Sequence, residues 1–486
     1  MPKQNRKSLD LVDNSVFGFN WVPEDDSNKG TWNYKNKYKK DVDFTPFENP
    51  KVEKNKAELR KRLTMIFEEI NSKLLSKEFR EKHLHVFIDG SYEHNTEDPF
   101  AKVVYCGDNS FETNTYNLVG FLKTDNTEIN VSSRFGDKFL LKLISYSDGF
   151  MEIPDYGSIG NKGMVEWIMP VLWRSALQKA FRLGLPKQYV TRNEKLAKIR
   201  GNIDVNDYIK NRARDAKYLC HYREHDYNNP VNGLISLTFS KIRQKNLISN
   251  SLRIRDTFSQ ATYGNMPALI KALSAKHLSN PYYHDYNRVI DLSKSILRKE
   301  LGDIDTSKSE TSAFFFDISM LFEYFIRKVL EQNQIQLFPP KIKNEFQISR
   351  GLLNKELREL QPDIIVKVEG SNGGKVDVFD VKYKRFNFKD GVKREDLFQL
   401  HTYVGNMLIK YKIRRCGFIY PLCEEEWKEQ KEKHENGVIK NKIEIKNNGK
   451  IDFWIVFFKV PKEDKEGREY EDSFFENLVS LAKSFK

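Results

Sequence analysis

Apolar positions change their spacing at several points along the chain, and each change marks a different kind of element. From Ala57 to about His83, residues Leu59, Leu63, Ile66, Phe67, Ile70, Leu74 and Leu75 recur at helical intervals, which predicts one long amphipathic helix. Between about 84 and 150, short runs rich in β-branched and aromatic residues (HLHVFI, AKVVYC, TYNLVGFL, TEINVSS) alternate with Asn, Asp and Gly clusters, as in a small, mostly antiparallel sheet or barrel. Helical spacing returns from Gly163 to about Leu301, in MVEWIMPVLWRSALQKAFRLGL, VNGLISLTFSKIRQKNLI and YNRVIDLSKSILRKEL. Inside that region Gly201 and Pro230 interrupt a segment dense in Arg and Lys, which suits a solvated face or a DNA contact equally well. Residues 1–56 are polar, with scattered aromatics and no sustained period, and read as an extended arm that packs on something else.

Residues 302–312 (GDIDTSKSETS) form the clearest linker. The remainder reads as one α/β unit: an apolar helix from Ala313 to Leu330, two paired strands between Gln361 and Lys384, and a helix over EDLFQLHTYVGNMLIKY. A strand over CGFIYPL, a hairpin turning at Asn447-Asn448-Gly449 into IDFWIVFFKV, and a closing helix to Lys486 follow. The expected architecture is therefore a multidomain α+β and α/β chain: an arm over 1–56, a helix plus small β domain over 57–160, a helical region over 161–301 and an α/β core over 313–486.

Composition narrows the setting. With 486 residues the chain exceeds one ordinary core. A formal net charge of +13 favours a polyanionic partner, nucleic acid being the commonest. The four cysteines, Cys106, Cys220, Cys416 and Cys423, include no CxxC pair and fit a reducing cytosol. No run of about 18 apolar residues and no signal-peptide pattern occurs, so a soluble, cytoplasmic protein is expected. Gly373-Gly374-Lys375 lacks the remaining residues of a P-loop, which leaves any nucleotide-driven step to a partner.

Chemistry concentrates in QPDIIVKVEGSNGGKVDVFDVKYK. In a strand, residues two apart share a face, so Val376, Val378, Asp380, Lys382 and Lys384 line one side, and Asp377, Phe379, Val381 and Tyr383 the other. Asp363 follows Pro362 at the start of the first strand, and Asp380 precedes Lys382 by two, a PD…D-x-K arrangement. Carboxylate oxygens are the ligands a hard cation such as Mg²⁺ accepts, and an adjacent lysine can orient or deprotonate a water and offset developing charge in phosphodiester hydrolysis. Glu426-Lys428, Glu429-Lys431 and Glu463-Lys465 repeat the acid-x-Lys spacing without a preceding Pro-Asp strand, and a surface ion pair on an edge strand is the competing reading. Gln399 and Tyr403, four apart on the following helix, present from one face, and Glu323 lies among Leu and Phe on the preceding helix, where a carboxylate needs exposure, a partner or a metal.

The segments PDIIVKV, VFDVKYK and EDLFQLHTYV resemble the PD-(D/E)xK nuclease superfamily, and the Gln-x-x-x-Tyr spacing is similar to its RecB-like branch. DISMLFEYFIRKVL, LGLPKQYV followed by IRGNID, and LCHYREHDYNNPVNGL resemble the McrC family, the nuclease subunit of McrBC-type restriction systems, over Val131 to Lys486. The resemblance implies that Asp363 and Asp380 bind Mg²⁺ with Glu323 at the family's acidic position, and that Lys382 is the catalytic lysine. It also implies cleavage of double-stranded, possibly methylated DNA together with a McrB-type AAA+ GTPase hexamer whose pore receives the N-terminal part of the subunit. Gly233 stands where the family pattern has Arg. A stand-alone RecB-like nuclease and an inactive regulator of an AAA+ ring are the alternatives.

Overall fold

The structure, a computed structural model, describes residues 8–23, 30–38, 45–47, 56–75, 99–123, 128–148, 164–211, 217–242, 251–264, 266–301, 312–338, 362–368, 374–430, 438–445, 449–465 and 467–486. Two compact units result, one from residues 1–157 with 309–486 and the other from 158–308. The first unit opens with β1 (Ser8–Val12), β2 (Val16–Pro23), β3 (Gly30–Asn36) and β4 (Thr45–Phe47), then α1 (Lys56–Leu75). It continues through β5 (Ala101–Gly107), β6 (Ser110–Thr115), β7 (Leu118–Lys123), β8 (Glu128–Ser132) and α2 (Gly136–Asp148). Helix α1 matches the expected amphipathic helix as far as Leu75, while the rest of that expected helix and HLHVFI lie outside the described residues.

The expected arm over 1–56 is corrected: its described residues form strands. β2, β3 and β4 join β5 and β6 in an antiparallel sheet ordered β4-β3-β2-β6-β5, and β1 pairs in parallel with β8. The alternation of Phe17, Phe19 and Trp21 is too short to register as a period, and its partner strand β6 lies about a hundred residues away. Phe19 and Trp32 are nevertheless buried, each packing on Phe111 at ring distances of 4.5 and 4.9 Å.

The second unit contains α3 (Met164–Phe181), β9 (Gln188–Leu196), β10 (Asn202–Ile203), α4 (Val205–Asn211), β11 (Tyr218–Asp226), α5 (Pro230–Lys241), α6 (Leu252–Ala261), α7 (Leu269–Leu273) and α8 (Asp285–Leu301). The purely helical expectation for 161–301 is corrected by the antiparallel sheet β10-β11-β9. Neither face of this ribbon is an apolar stripe, so its pattern carried no strand signal. A cross-strand charge pair, Arg192 2.9 Å from Glu224, holds it instead, joined by Arg200 of the loop before β10 at 3.0 Å from the same carboxylate. At α5, Asn229 caps the helix by accepting from Val231 N and Asn232 N. A Cβ at Gly233 would stand 3.0 Å from Pro267 Cγ, so any larger residue there would press on that proline.

The chain then re-enters the first unit with β12 (Ser312–Asp317) and α9 (Ile318–Gln332). The expected helix from Ala313 therefore begins later, at Ile318, because AFFFD pairs antiparallel with β7. Phe315 and Phe316 are consecutive and both fully buried, as in a strand covered on both faces, a run that periodicity cannot tell from a buried helix. The boundary drawn before residue 313 thus falls inside a sheet, ordered β1-β8-β7-β12.

Next come β13 (Ile364–Lys367), β14 (Lys375–Val381), α10 (Arg394–Met407), β15 (Lys412–Cys423), α11 (Glu424–Gln430), β16 (Val438–Ile445), β17 (Gly449–Val460) and α12 (Gly467–Phe485). The sheet order is β13-β14-β15-β17-β16, with β14, β15 and β17 parallel and the two outer strands antiparallel. The expected strand pairs and their flanking helices are present, while the two hairpin turns lie outside the described residues. Val376 and Val378 share a core with Leu400, Val404 and Met407 of α10. Phe379, on the opposite face, packs edge-on against Phe485 of α12 at 5.0 Å. Among the described residues no helix is long and apolar enough to cross a membrane.

Candidate functional site

Strand register brings the acids together. Ile364 of β13 pairs with Phe379 of β14, and continuing that antiparallel register by one residue sets Asp363 beside Asp380. Asp363 is fixed at both ends: its Oδ2 accepts from Val381 N at 2.7 Å, and its carbonyl accepts from Arg327 Nη1 at 3.1 Å. Arg327 lies one helical turn after Glu323 on α9, so the same helix that carries Glu323 also holds the start of β13.

Asp380 is 1 % exposed, and neither of its oxygens meets a hydrogen-bond donor in good geometry among the described residues. Its close neighbour is Lys382 Nζ, 2.6 Å from Oδ2, an ion contact outside hydrogen-bond direction. Lys382 gives its hydrogen bond to Gln399 Oε1 at 2.8 Å, and Gln399 Nε2 donates to the Tyr403 hydroxyl at 2.7 Å. The i, i+4 spacing on α10 places both side chains in reach of the strand end.

Electrostatics show the groups in one another's fields. Glu323 is half-buried as a residue, yet its carboxyl lies among protein atoms: burial first, then the charge of Asp380, pushes its pKa up to about 7. Asp363 is held well above the carboxylate range by burial, then by Glu323 and Asp380. Burial opposes the charge on Lys382, but Asp380 and Asp363 outweigh it and raise its pKa. Burial, followed by Asp380 and Asp363, raises that of the Tyr403 phenol. All six expected site residues, Glu323, Asp363, Asp380, Lys382, Gln399 and Tyr403, therefore converge at one end of the sheet.

Among the described residues no three His, Cys, Asp or Glu side chains stand ready-made around a single point at metal-ligand spacing. The donor chemistry nevertheless suits a hard cation: crowded carboxylates of raised pKa, and a buried Asp380 whose oxygens, among the described residues, meet the Lys382 ammonium but accept no well-directed hydrogen bond. Asp377 is separated from this set. Fully buried on the other face, it accepts from Arg414 Nε and Arg415 Nε, each at 2.9 Å, while Arg415 Nη1 ties to Ser484 O at 2.9 Å.

Sequence reasoning missed two neighbours. Arg327 was hidden inside an apolar helix, although its i+4 offset from Glu323 was a usable signal. Asp396, 3 % exposed, accepts from Lys384 Nζ at 2.8 Å through Oδ1, and its Oδ2 meets no donor among the described residues; its place in the first turn of α10 gave no hint of burial.

Fold and site together describe a mixed α/β protein with a buried carboxylate–lysine centre at the end of a sheet. The model of the family described as McrBC 5-methylcytosine restriction system component matches residues 113–421, and the chain belongs to that family. The resemblance to the McrC family of McrBC-type restriction systems is thereby borne out, and all six residues lie within the matched span. No curated protein matches the chain. Two solved structures from Thermococcus gammatolerans are similar. One is the refined half-complex from the tetradecameric assembly of McrB AAA+ hexamers with bound McrC, at 15% identity over 88% of this chain and 92% of that chain, with a TM-score of 0.48. The other is the cryo-EM structure of the McrBC complex, at 13% identity over 68% of this chain and 88% of that chain, with a TM-score of 0.34.

Proposed function

We propose that this chain is the McrC-type, Mg²⁺-dependent DNA endonuclease subunit of a McrBC-type restriction system, cutting phosphodiester bonds together with a McrB-type AAA+ GTPase. The observation that carries the reading is the convergence of Asp363, Asp380 and Lys382 on the β13–β14 pair with Glu323, Gln399 and Tyr403 around them. On this reading the unit from β13 to α12 is a PD-(D/E)xK core. Asp363, Asp380 and Glu323 would hold the ion, which supplies Lewis acidity and an activated water when bound.

The protein's own contribution is position and charge. With its pKa raised, Lys382 is an ammonium at neutral pH and offsets negative charge developing on the scissile phosphate. Gln399 fixes the direction of that ammonium, and the Tyr403 hydroxyl fixes Gln399. The Val381 amide and Arg327 hold Asp363 at both ends, so the carboxylate needs little reordering to act as a ligand. A net charge of +13 suits a nucleic-acid substrate, and family membership makes the AAA+ GTPase the expected partner and the cytoplasm the expected setting.

The test is DNA cleavage by the full-length chain in Mg²⁺, with and without its McrB-type partner. Asp380→Asn and Lys382→Ala are each expected to lower cutting about 100-fold or more while leaving the folded state and partner assembly intact. Undiminished cutting by either variant overturns the reading, and full activity without the GTPase would favour a stand-alone nuclease.

A further inference from the structure

The ladder between β14 and β15 ends at Lys382, whose N–H donates to Ile419 O at 2.9 Å. Beyond that residue no strand among the described residues pairs with the chain to fix its path, and its buried polar backbone groups must be satisfied in another way. The donors come from the N-terminal region. Arg134, two residues past β8, donates through Nη2 to Tyr383 O at 2.9 Å, and its guanidinium carbon lies 4.7 Å from the centres of both the Tyr383 and Phe135 rings. The Tyr383 hydroxyl lies 3.3 Å from Ser133 Oγ and shares the buried pocket of Asp13. Asp13, fully buried between β1 and β2, accepts from the Arg134 backbone N–H and so holds the loop that carries the arginine. Two residues further on, Arg385 donates to Asn14 O at 3.2 Å and covers the Tyr38 ring at 4.3 Å.

Tyr383 also faces the other half of the site. Its ring packs at 5.7 Å from Phe322, the residue preceding Glu323 on α9. Helix α9 is in turn anchored to the same N-terminal sheet: β12 pairs with β7, and Ile318 N donates to Asn117 O at 3.0 Å. One body of residues, 8–148, therefore holds both the lysine-bearing strand end and the acid-bearing helix.

We propose that Asp13, Arg134 and Tyr383 form a latch through which the N-terminal sheets position Lys382 against Asp380, with Arg134 a positioning residue for cleavage. The leverage lies in adjacent residues with different partners: the Tyr383 ring rests on Phe322 and Phe135 while Lys382 Nζ reaches Gln399 of α10, so fastening Tyr383 limits where the lysine can turn. The proposal rests on Lys382 being the catalytic lysine. A family member lacking this contact would need another donor for the carbonyl of the residue after that lysine.

The test uses the full-length chain and two variants: Arg134→Met, which keeps bulk and loses the donors, and Tyr383→Phe, which keeps the ring on Phe322 and loses the hydroxyl. Amide exchange of the strand-end segment at Lys382, whose N–H is held by Ile419 O, should rise about tenfold in Arg134→Met as loss of the buried bond to Tyr383 O lets that end open more often, with the parallel strands β15 and β17 unchanged. Cleavage should lose about 10- to 100-fold in kcat with KM for DNA unchanged, the signature of a displaced catalytic group. Mg²⁺ affinity by calorimetry should stay within about twofold, since Asp363 is held separately by Val381 and Arg327. Unchanged exchange at that segment in both variants overturns the latch, as does a kcat loss matched by general melting or by an equal loss of Mg²⁺ affinity. Exchange requires no cutting, so an inactive wild-type chain would sink the nuclease reading while leaving the latch decided by exchange alone.

Discussion

Asp377 and Asp380 lie three residues apart on one strand and meet opposite environments. Asp377 is neutralised by two arginines that close around it, so removing its carboxylate by Asp377→Ala strands buried positive charge and is expected to cost about 3–5 kcal/mol in urea denaturation. Asp380 instead has the single ammonium of Lys382 beside it and lies in the field of Glu323 and Asp363. Period-two alternation made this division legible in advance, because it put the two acids on opposite faces; the partners of Asp377 were not legible, since they lie 37 and 38 residues further along the chain. Glu323 yields a pH prediction. Its pKa in the folded protein, about 7, exceeds the ordinary value of 4.5, so the folded state binds more protons in that interval. The Glu323 contribution to the stability of the metal-free protein is therefore fully present at pH 4.5 and below and is lost as pH rises through about 7. Thermal melts in chelator at pH 5.5 and 8 are expected to show a drop in wild type that Glu323→Gln reduces, and added Mg²⁺ should restore more stability at the higher pH.

Elements were legible where a single period ran through them. Helix α1, the β13–β14 pair and the β16–β17 hairpin all carry such a signal, and all formed as expected. Strand β12 was hidden because AFFFD continues into an apolar helix without a change of hydrophobicity, and its pairing with β7 is a long-range contact. The β9–β11 ribbon was hidden for the reverse reason: charges on both faces erase the alternation, leaving the ion pairs of Glu224 to stabilise it. Close approach of β15 to β17 depends on a single small residue. A Cβ on Gly417 would fall 1.7 Å from Trp454 O, inside van der Waals contact with backbone that cannot rotate away. Gly417→Ala should therefore spread the parallel strands and destabilise the unit by about 3 kcal/mol or more, read as a lowered urea midpoint.

At the scale of the whole molecule, the N-terminal region and the α/β core belong to one unit although residues 158–308 intervene in the sequence. The charge and composition of 313–486 gave no sign of that dependence; the pairing of β12 with β7 and contacts such as those of Asp13 and Arg134 reveal it. A fragment of residues 313–486 lacks the strand beside β12 and the donor for Tyr383 O. It should be poorly soluble, with near-ultraviolet circular dichroism much weaker than the same residues show within the full chain, whereas co-expression with residues 1–157 should recover signal. The shared sheet also has a consequence for synthesis. β7 is complete at Lys123, but its second neighbour does not emerge until Ser312. At translation rates of about 5–20 residues per second, that edge waits on the order of 10–40 s for its partner. During that interval an unpaired strand is exposed on every nascent chain, so neighbouring polysomes should be prone to cross-pairing there, and a chaperone that shields β7 should raise the yield of folded protein.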